Sequence, residues 1–229
     1  MNLKQHLQEL KRFQVERLIF FTDALFAIAI TLLIIEIKVP ILREEVIGTI
    51  RNADIQDAML GQWPQWLGFL ISFGVIGRFW VAHHNMFLYV DYHSNRLIFL
   101  NFAFLATIVI MPYTTAAYTA YVMFNFPFLV YCLNVSATGF FQFLLWKHIV
   151  NPKNKITLHP IDPLVNKNIS SRSLTTPLIF LLAGLCCFIP FSEKYTTLGF
   201  YLPRVSFVFI FVIQANISRY FKKKGLKTI

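Results

Sequence analysis

The sequence predicts an all-α polytopic membrane protein with six transmembrane helices, and three observations predict it. Of its 229 residues, 56% are hydrophobic, 25 are phenylalanine and only 14% are charged, where a soluble domain averages about 25% charged. The apolar residues fall into long runs, and a hydrocarbon core about 30 Å thick requires roughly 20 of them in a helix. Finally, 15 of the 21 Lys and Arg residues lie in Lys4 to Arg17, at Arg96, in Lys147 to Arg172 and in Arg219 to Lys227. Each group borders an apolar run, as cytoplasmic flanks do.

The spans are expected at about 18–39, 66–90, 97–118, 122–146, 174–191 and 198–220. The first follows a polar segment, "MNLKQHLQELKRFQVER", and no small-residue cleavage site closes it, so it reads as a retained signal-anchor helix. The fifth is short and bounded by Pro177 and Pro190. Six spans place both termini on one side, and the basic flanks make that side cytoplasmic: the N-terminus, the 91–96 turn, the 147–173 loop and "RYFKKKGLK". Outside fall the 40–65 loop, the 119–121 turn and "SEKYTT". Val46, Ile47, Ile50, Ala53 and Met59 recur at loose helical spacing in the first of these, which predicts a short surface helix. Without an internal repeat or a soluble segment, residues 1–229 read as one six-helix domain.

A basic excess also marks nucleic-acid binders, but nothing here resembles a reader of bases. Cys132, Cys186 and Cys187 lie inside apolar runs without metal-ligand or redox spacing and read as packing residues.

Ionisable groups at membrane depth cost about 2.5–3.5 kcal/mol each on insertion scales, so each is a candidate functional residue. Asp23 lies six residues inside the cytoplasmic border of the first span, and His84 six residues inside the same border of the second. Asp23, His83, His84 and Asn85 therefore share a depth, with Thr22 and the Trp80 N–H within about a turn. Two readings stand: a polar clamp between the first two helices, or a proton relay or metal site. Adjacent histidines point about 100° apart on a helix, which makes them a poor chelating pair. Arg78, near the middle of the second span, has no acid at its depth.

Arg17, three residues, then "FTD" (Phe21, Thr22, Asp23) and "ALFAIAITLL" resemble the R-x-x-x-F-S-D signature that opens the first helix of the transmembrane protein 175 potassium channel family. Thr22 replaces the usual serine and keeps the hydroxyl. "FWVAHHNMF", Phe79 to Phe87, is similar to that family's second helix. The resemblance is specific over about 17–40 and 79–87 and extends loosely over the six-span layout. It implies a bacterial-type chain with one six-helix unit, assembling as a homotetramer, with the pore lined by the first helices. Counted from the signature acid, the family's constriction falls on Ile28, with Leu32 and Ile35 as further layers, and its potassium-linked hydroxyl on Thr31. These positions, extended to Val39, follow one face of a helix, and Asp23 lies about 140° from Ile28. The chain also lacks the T-V-G-Y-G filter whose carbonyls select potassium elsewhere.

The expected function is a potassium-permeable, potassium-preferring leak channel in the inner (cell) membrane of a bacterium, with potassium ions, the lipid bilayer and further copies of itself as partners. It needs no cofactor, no metal and no nucleic acid. The network of Arg17, Phe21, Thr22, Asp23, Trp80, His83, His84 and Asn85 is expected to hold the pore helix in place. The alternative is a proton conductor or proton-coupled transporter using Asp23, His83 and His84. An intramembrane enzyme would need a clustered nucleophile or metal near water, and only the same three residues offer anything. Single cysteines at Asn52 and Thr196 are expected to react with an impermeant reagent outside intact cells, and one at Lys223 is not. Labelling at Lys223 from outside contradicts the topology.

Overall fold

A computed structural model of the chain describes residues 3–41, 51–189 and 196–225. These residues form seven α-helices, and a single-turn 3-10 helix at Pro152–Asn154 lies in the loop after the fifth of them. The α-helices are α1 (Leu3–Ile35), α2 (Asn52–Leu60), α3 (Trp63–Phe87), α4 (Asn95–Ala120), α5 (Asn125–Val150), α6 (Pro163–Cys186) and α7 (Thr196–Lys223). Among the described residues, five stretches are long and apolar enough to cross a membrane: Arg12–Ile35, Asn52–Phe87, Asn95–Ala120, Asn125–Val150 and Pro163–Cys186. α7, at 28 residues, occupies the place of the sixth expected span.

Boundaries differ from the sequence reading where polar residues find partners. α1 starts well before the apolar stretch, at Leu3, and stops at Ile35, so Val39 falls beyond the helix. The fifth span departs most, since α6 begins at Pro163 rather than near 174 and Pro177 lies inside it. Asp162 makes this start by accepting from the Leu164 N–H at 2.7 Å, and Pro163 supplies a first-turn residue that has no N–H to satisfy. The polar first half of α6 is then absorbed by its neighbours. Asn166 Oδ1, for example, accepts from the Trp146 indole at 3.1 Å. The short surface helix is α2, starting at Asn52. Val46, Ile47 and Ile50, like most of "SEKYTT", lie outside the described residues.

The helices pack around α4 and α5: α4 touches α1, α3 and α5, α5 packs on α6, and α6 carries α7. The core forms two apolar clusters. One gathers Phe26, Leu33, Phe79, Phe104, Ile108, Phe128 and Phe180. The other, nearer the α3–α4 turn, gathers Leu18, Met86, Phe87, Leu97, Trp146 and Ile149. Two loops that the charge pattern assigns to one side meet there. The Asp91 and Tyr92 N–H groups donate to the Ile156 carbonyl at 3.0 Å, and the Leu158 N–H donates to Asp91 Oδ2 at 2.7 Å.

Without a hydrophobic drive between helices in lipid, close backbone approach is what holds them. α5 and α6 meet where Gly139 receives the ring of Pro177, and a Cβ on Gly139 would lie 2.6 Å from Pro177 Cδ. Gly139→Ala is therefore expected to force the two helices apart at about 1–3 kcal/mol. That corresponds to a fall of several degrees in the unfolding midpoint of the purified protein. Gly74→Ala, where a Cβ meets nothing within 4 Å inside α3, is expected to keep the midpoint or raise it by a few degrees, because Ala favours a helix interior over Gly by about 1 kcal/mol. Equal midpoints for the two variants contradict the close approach.

Candidate functional site: the first helix and its anchors

α1 has two faces, and the division follows from which side chains find neighbours. Val15, Leu18, Thr22, Phe26, Ala29 and Leu33 are buried, spaced by three and four as one helical face requires. Leu33 is 2% exposed. Around the helix, Ala24, Ile28, Thr31 and Ile35 are exposed in the single chain, with Ile28 at 51% and Ile35 at 58%, and Leu32 is half-buried beside them. The Thr31 hydroxyl donates to the Ile28 carbonyl at 2.9 Å, which fixes its proton on the helix and leaves its oxygen lone pairs facing outward.

The buried face is tied down by a polar chain. The Asn101 amide of α4 donates to Thr22 Oγ1 at 2.8 Å, and Thr22 in turn donates to the Leu18 carbonyl at 2.8 Å. His83 of α3 lies 2.8 Å from Asn101 Oδ1 through Nε2. Because the Asn101 NH2 is given to Thr22, its oxygen faces the imidazole, and His83 carries its proton on Nε2. Phe104 and Phe87 stack on the His83 ring, with centroids 5.5 and 4.1 Å away. Thr22 and Asn101 are wholly buried and His83 is 2% exposed. Three helices are joined in a chain of satisfied bonds.

Asp23 is held separately. The Trp80 indole N–H donates to Asp23 Oδ1 at 2.8 Å, and the His84 ring stacks on Trp80 at 5.7 Å. Trp80 and His84 lie one turn apart and share a face, whereas His83 is turned about 60° from Trp80 toward α4. The contact expected between a histidine and Asp23 is thus replaced by two separate anchors. Arg17 is exposed, and the ion pairs found among the described residues, Arg12–Glu16 and Arg51–Asp54, do not include it. Phe21 packs its ring on Phe102 of α4 at 5.3 Å. Asn85 points elsewhere, into a cavity it shares with Arg78. Asn101 escaped the sequence reading, although an asparagine inside "RLIFLNFAFL" is the kind of polar interruption that marked Asp23. Among the described residues no group of three or more His, Cys, Asp or Glu side chains is placed to hold a metal ion.

The fold and this site define a multi-pass helical membrane protein whose first helix is gripped on one side and bare on the other. Residues 17–112 match the family model described as endosomal/lysosomal potassium channel TMEM175. A protein named as a potassium channel in Streptomyces collinus is 35% identical over 154 residues, covering 64% of this chain and 67% of the relative. The chicken endosomal/lysosomal proton channel TMEM175 is 32% identical over 152 residues, covering 63% of this chain and 30% of that protein. The crystal structure of a lysosomal potassium-selective channel TMEM175 homolog from Chamaesiphon minutus superposes with a TM-score of 0.67 at 26% identity, covering 91% of this chain and 98% of that one. The chain belongs to the TMEM175 family, a family of ion channels and not of enzymes.

Asn101→Ala removes both of its bonds in the buried chain: Thr22 keeps its bond to the Leu18 carbonyl, but the His83 Nε2 loses its partner, and an unsatisfied buried group costs about 1–3 kcal/mol. Trp80→Phe removes one bond at a partly exposed position and keeps the ring. Thermal unfolding of the two variants is expected to show the larger loss for Asn101→Ala. The reverse order contradicts the assignment of the main grip to the buried chain.

Proposed function

We propose that the protein is a potassium-permeable, potassium-preferring leak channel. The whole chain, 1–229, is one six-helix unit, and four copies assemble with their α1 helices around the pore. The observation that carries this reading is the bare stripe of α1. Ala24, Ile28, Thr31 and Ile35 are exposed on a helix that buries Thr22, Phe26, Ala29 and Leu33 on its opposite face, and an apolar stripe on the first helix is what a shared central pathway would need. The names of the bacterial relatives support the potassium preference.

In this mechanism ions move down their gradient. A ring of four Ile28 side chains narrows the path and offers no ligands, so an ion sheds part of its water there or passes with a short file of it. Leu32 and Ile35 continue the apolar section. The Thr31 oxygen, its proton committed to the Ile28 carbonyl, presents lone pairs one turn beyond the ring and replaces part of the lost hydration. This favours the larger, more easily dehydrated cation. Both termini lie in the cytoplasm of a bacterial cell, as the basic flanks require.

A proton-conducting reading draws on the name of the vertebrate relatives and on Asp23, His83 and His84. The bonding observed here favours the clamp. From His83 the chain runs through an amide and a hydroxyl to a backbone carbonyl, and an amide does not take up and release a proton as imidazole or carboxylate does. A correctly assembled Asp23→Asn protein that loses proton flux while keeping potassium current would favour the proton reading.

Ile28→Asn supplies oxygens at the ring and lowers the barrier to wetting, so unitary current is expected to rise several-fold while discrimination against sodium falls. Thr31→Val keeps the shape, removes the hydroxyl and is expected to lower selectivity at unchanged expression. Leu33→Asn places an amide in the core and is expected to impair folding instead. Bi-ionic reversal potentials and single-channel currents in one lipid mixture measure all three. An assembled Ile28→Asn channel with unchanged current and selectivity contradicts the pore assignment.

A further inference from the structure

Arg78 and Arg172 come from different helices, α3 and α6, and converge on one atom. Both donate to Gln214 Oε1 of α7, Arg172 through Nε at 3.0 Å and Arg78 through Nη2. Gln214 is buried and itself held, donating to the Arg172 carbonyl at 2.9 Å and to Thr176 Oγ1 at 3.0 Å. Beside them lies a cavity of about 230 Å³, lined also by Asn85, Gly77 and Thr176, with Phe180 and Ile210 among its apolar walls. That is room for several waters or an oxyanion.

The charge there does not balance. Among the described residues no aspartate or glutamate lines the cavity, and one amide oxygen shared by two guanidinium groups leaves most of their ten N–H donors without a partner among those residues. Asn85, exposed in the single chain, also lines this space with no hydrogen bond to the described residues, and Thr176, which accepts from Gln214, keeps its own O–H to give. Two positive charges in a largely apolar pocket call for an anion carrying close to two negative charges. Paired planar forks fit the oxygens of a phosphoryl group better than a spherical halide. A phosphomonoester carries about −1.5 to −2 near neutral pH.

Arg78 is nine residues from the end of α3 and Arg172 nine from the start of α6, each about 13 Å along the helix, and the loops beyond those two ends are bonded together. Arg172 also closes the polar first half of α6, two residues before its apolar stretch begins. The cavity therefore lies about 13 Å inside that end of the bundle, at the inner end of the polar first half of α6 and near the middle of the span expected at 66–90.

We propose that the cavity between α3, α6 and α7 is a binding site for a phosphomonoester group, carried by a lipid headgroup or by free phosphate, gripped by Arg78 and Arg172 and seated by Asn85 and Thr176. The occupant neutralises the pair and ties α3 to α6 and α7 on the side of α3 away from the pore helix.

The full-length protein in phosphatidylcholine nanodiscs is mixed with a few mole per cent phosphatidic acid, with phosphatidylglycerol as a phosphodiester control, or titrated with inorganic phosphate. Native mass spectrometry counts retained lipid, and thermal unfolding reads stabilisation. One phosphatidic acid is expected per chain, held at least tenfold more tightly than phosphatidylglycerol. Arg78→Gln and Arg172→Gln are each expected to weaken it tenfold or more. Gly77→Leu keeps both arginines but fills the space where a Cβ meets nothing within 4 Å, and it is expected to do the same. Displacement of the lipid by inorganic phosphate assigns the site to the phosphoryl group whatever carries it; resistance to displacement assigns it to the lipid. Binding of neither probe, equal retention of phosphatidylglycerol, or affinity unchanged in a folded Gly77→Leu protein overturns the proposal.

Discussion

The placement of α1 in this protein depends on a layer of polar bonds set between two greasy ones. Thr22, Asn101 and His83 lie between the cluster around Phe26, Phe79 and Phe104 and the cluster around Leu18, Met86 and Leu97. Apolar side chains slide past one another at little cost in lipid, because the hydrocarbon outside is as apolar as the helix surface. A buried hydrogen-bond chain does not slide, since displacing one member by a single residue leaves donors and acceptors unpaired where no water can reach them. The layer therefore sets the vertical register and rotation of α1 against α3 and α4. Trp80, bonded to Asp23 nearby, adds a second point of attachment and resists rotation about the first.

Fixing the rotation of α1 decides which residues it leaves bare. With Thr22, Phe26, Ala29 and Leu33 turned inward, Ile28, Thr31 and Ile35 must face out. The proposed pore surface is thus a consequence of the anchor, and a side chain on one face acts on the other only through the orientation of the helix. This separates two roles that the sequence places within ten residues of each other. The acid and the hydroxyl at 22–23 secure the helix, while in the proposed channel the isoleucine and threonine at 28 and 31 would meet the ion.

Much of this was legible in the sequence because membrane helices announce themselves by length and hydropathy, and because a 3.6-residue period assigns faces without reference to neighbours. Asp23 and Trp80 were legible for the same reasons, whereas Ile28 and Thr31 were singled out only by the family resemblance. What escaped depended on partners far along the chain. The start of α6 was read eleven residues late because its first turns are polar, and only the Asp162 cap and the Trp146–Asn166 bond show why they are nonetheless helical. Pro177 reads as a boundary and is in fact a knob fitting Gly139. Arg78 had no visible partner because Gln214 lies 136 residues away. Depth alone placed both His83 and His84 beside Asp23; the 60° between His83 and Trp80 sends His83 to Asn101, while His84 stacks on the Trp80 that bonds Asp23.

The claim on which the rest turns is that α1 presents Ile28 to the ion path and Leu33 to the core. It is tested most directly by cysteine accessibility in the conducting protein, with Cys132, Cys186 and Cys187 replaced by alanine. Cadmium is expected to block current through an Ile28→Cys channel, where several thiolates would ring the path, and to spare a Leu33→Cys channel. Free passage of current through the Ile28→Cys channel in cadmium, or block confined to Leu33→Cys, would place the pathway on another surface of the protein.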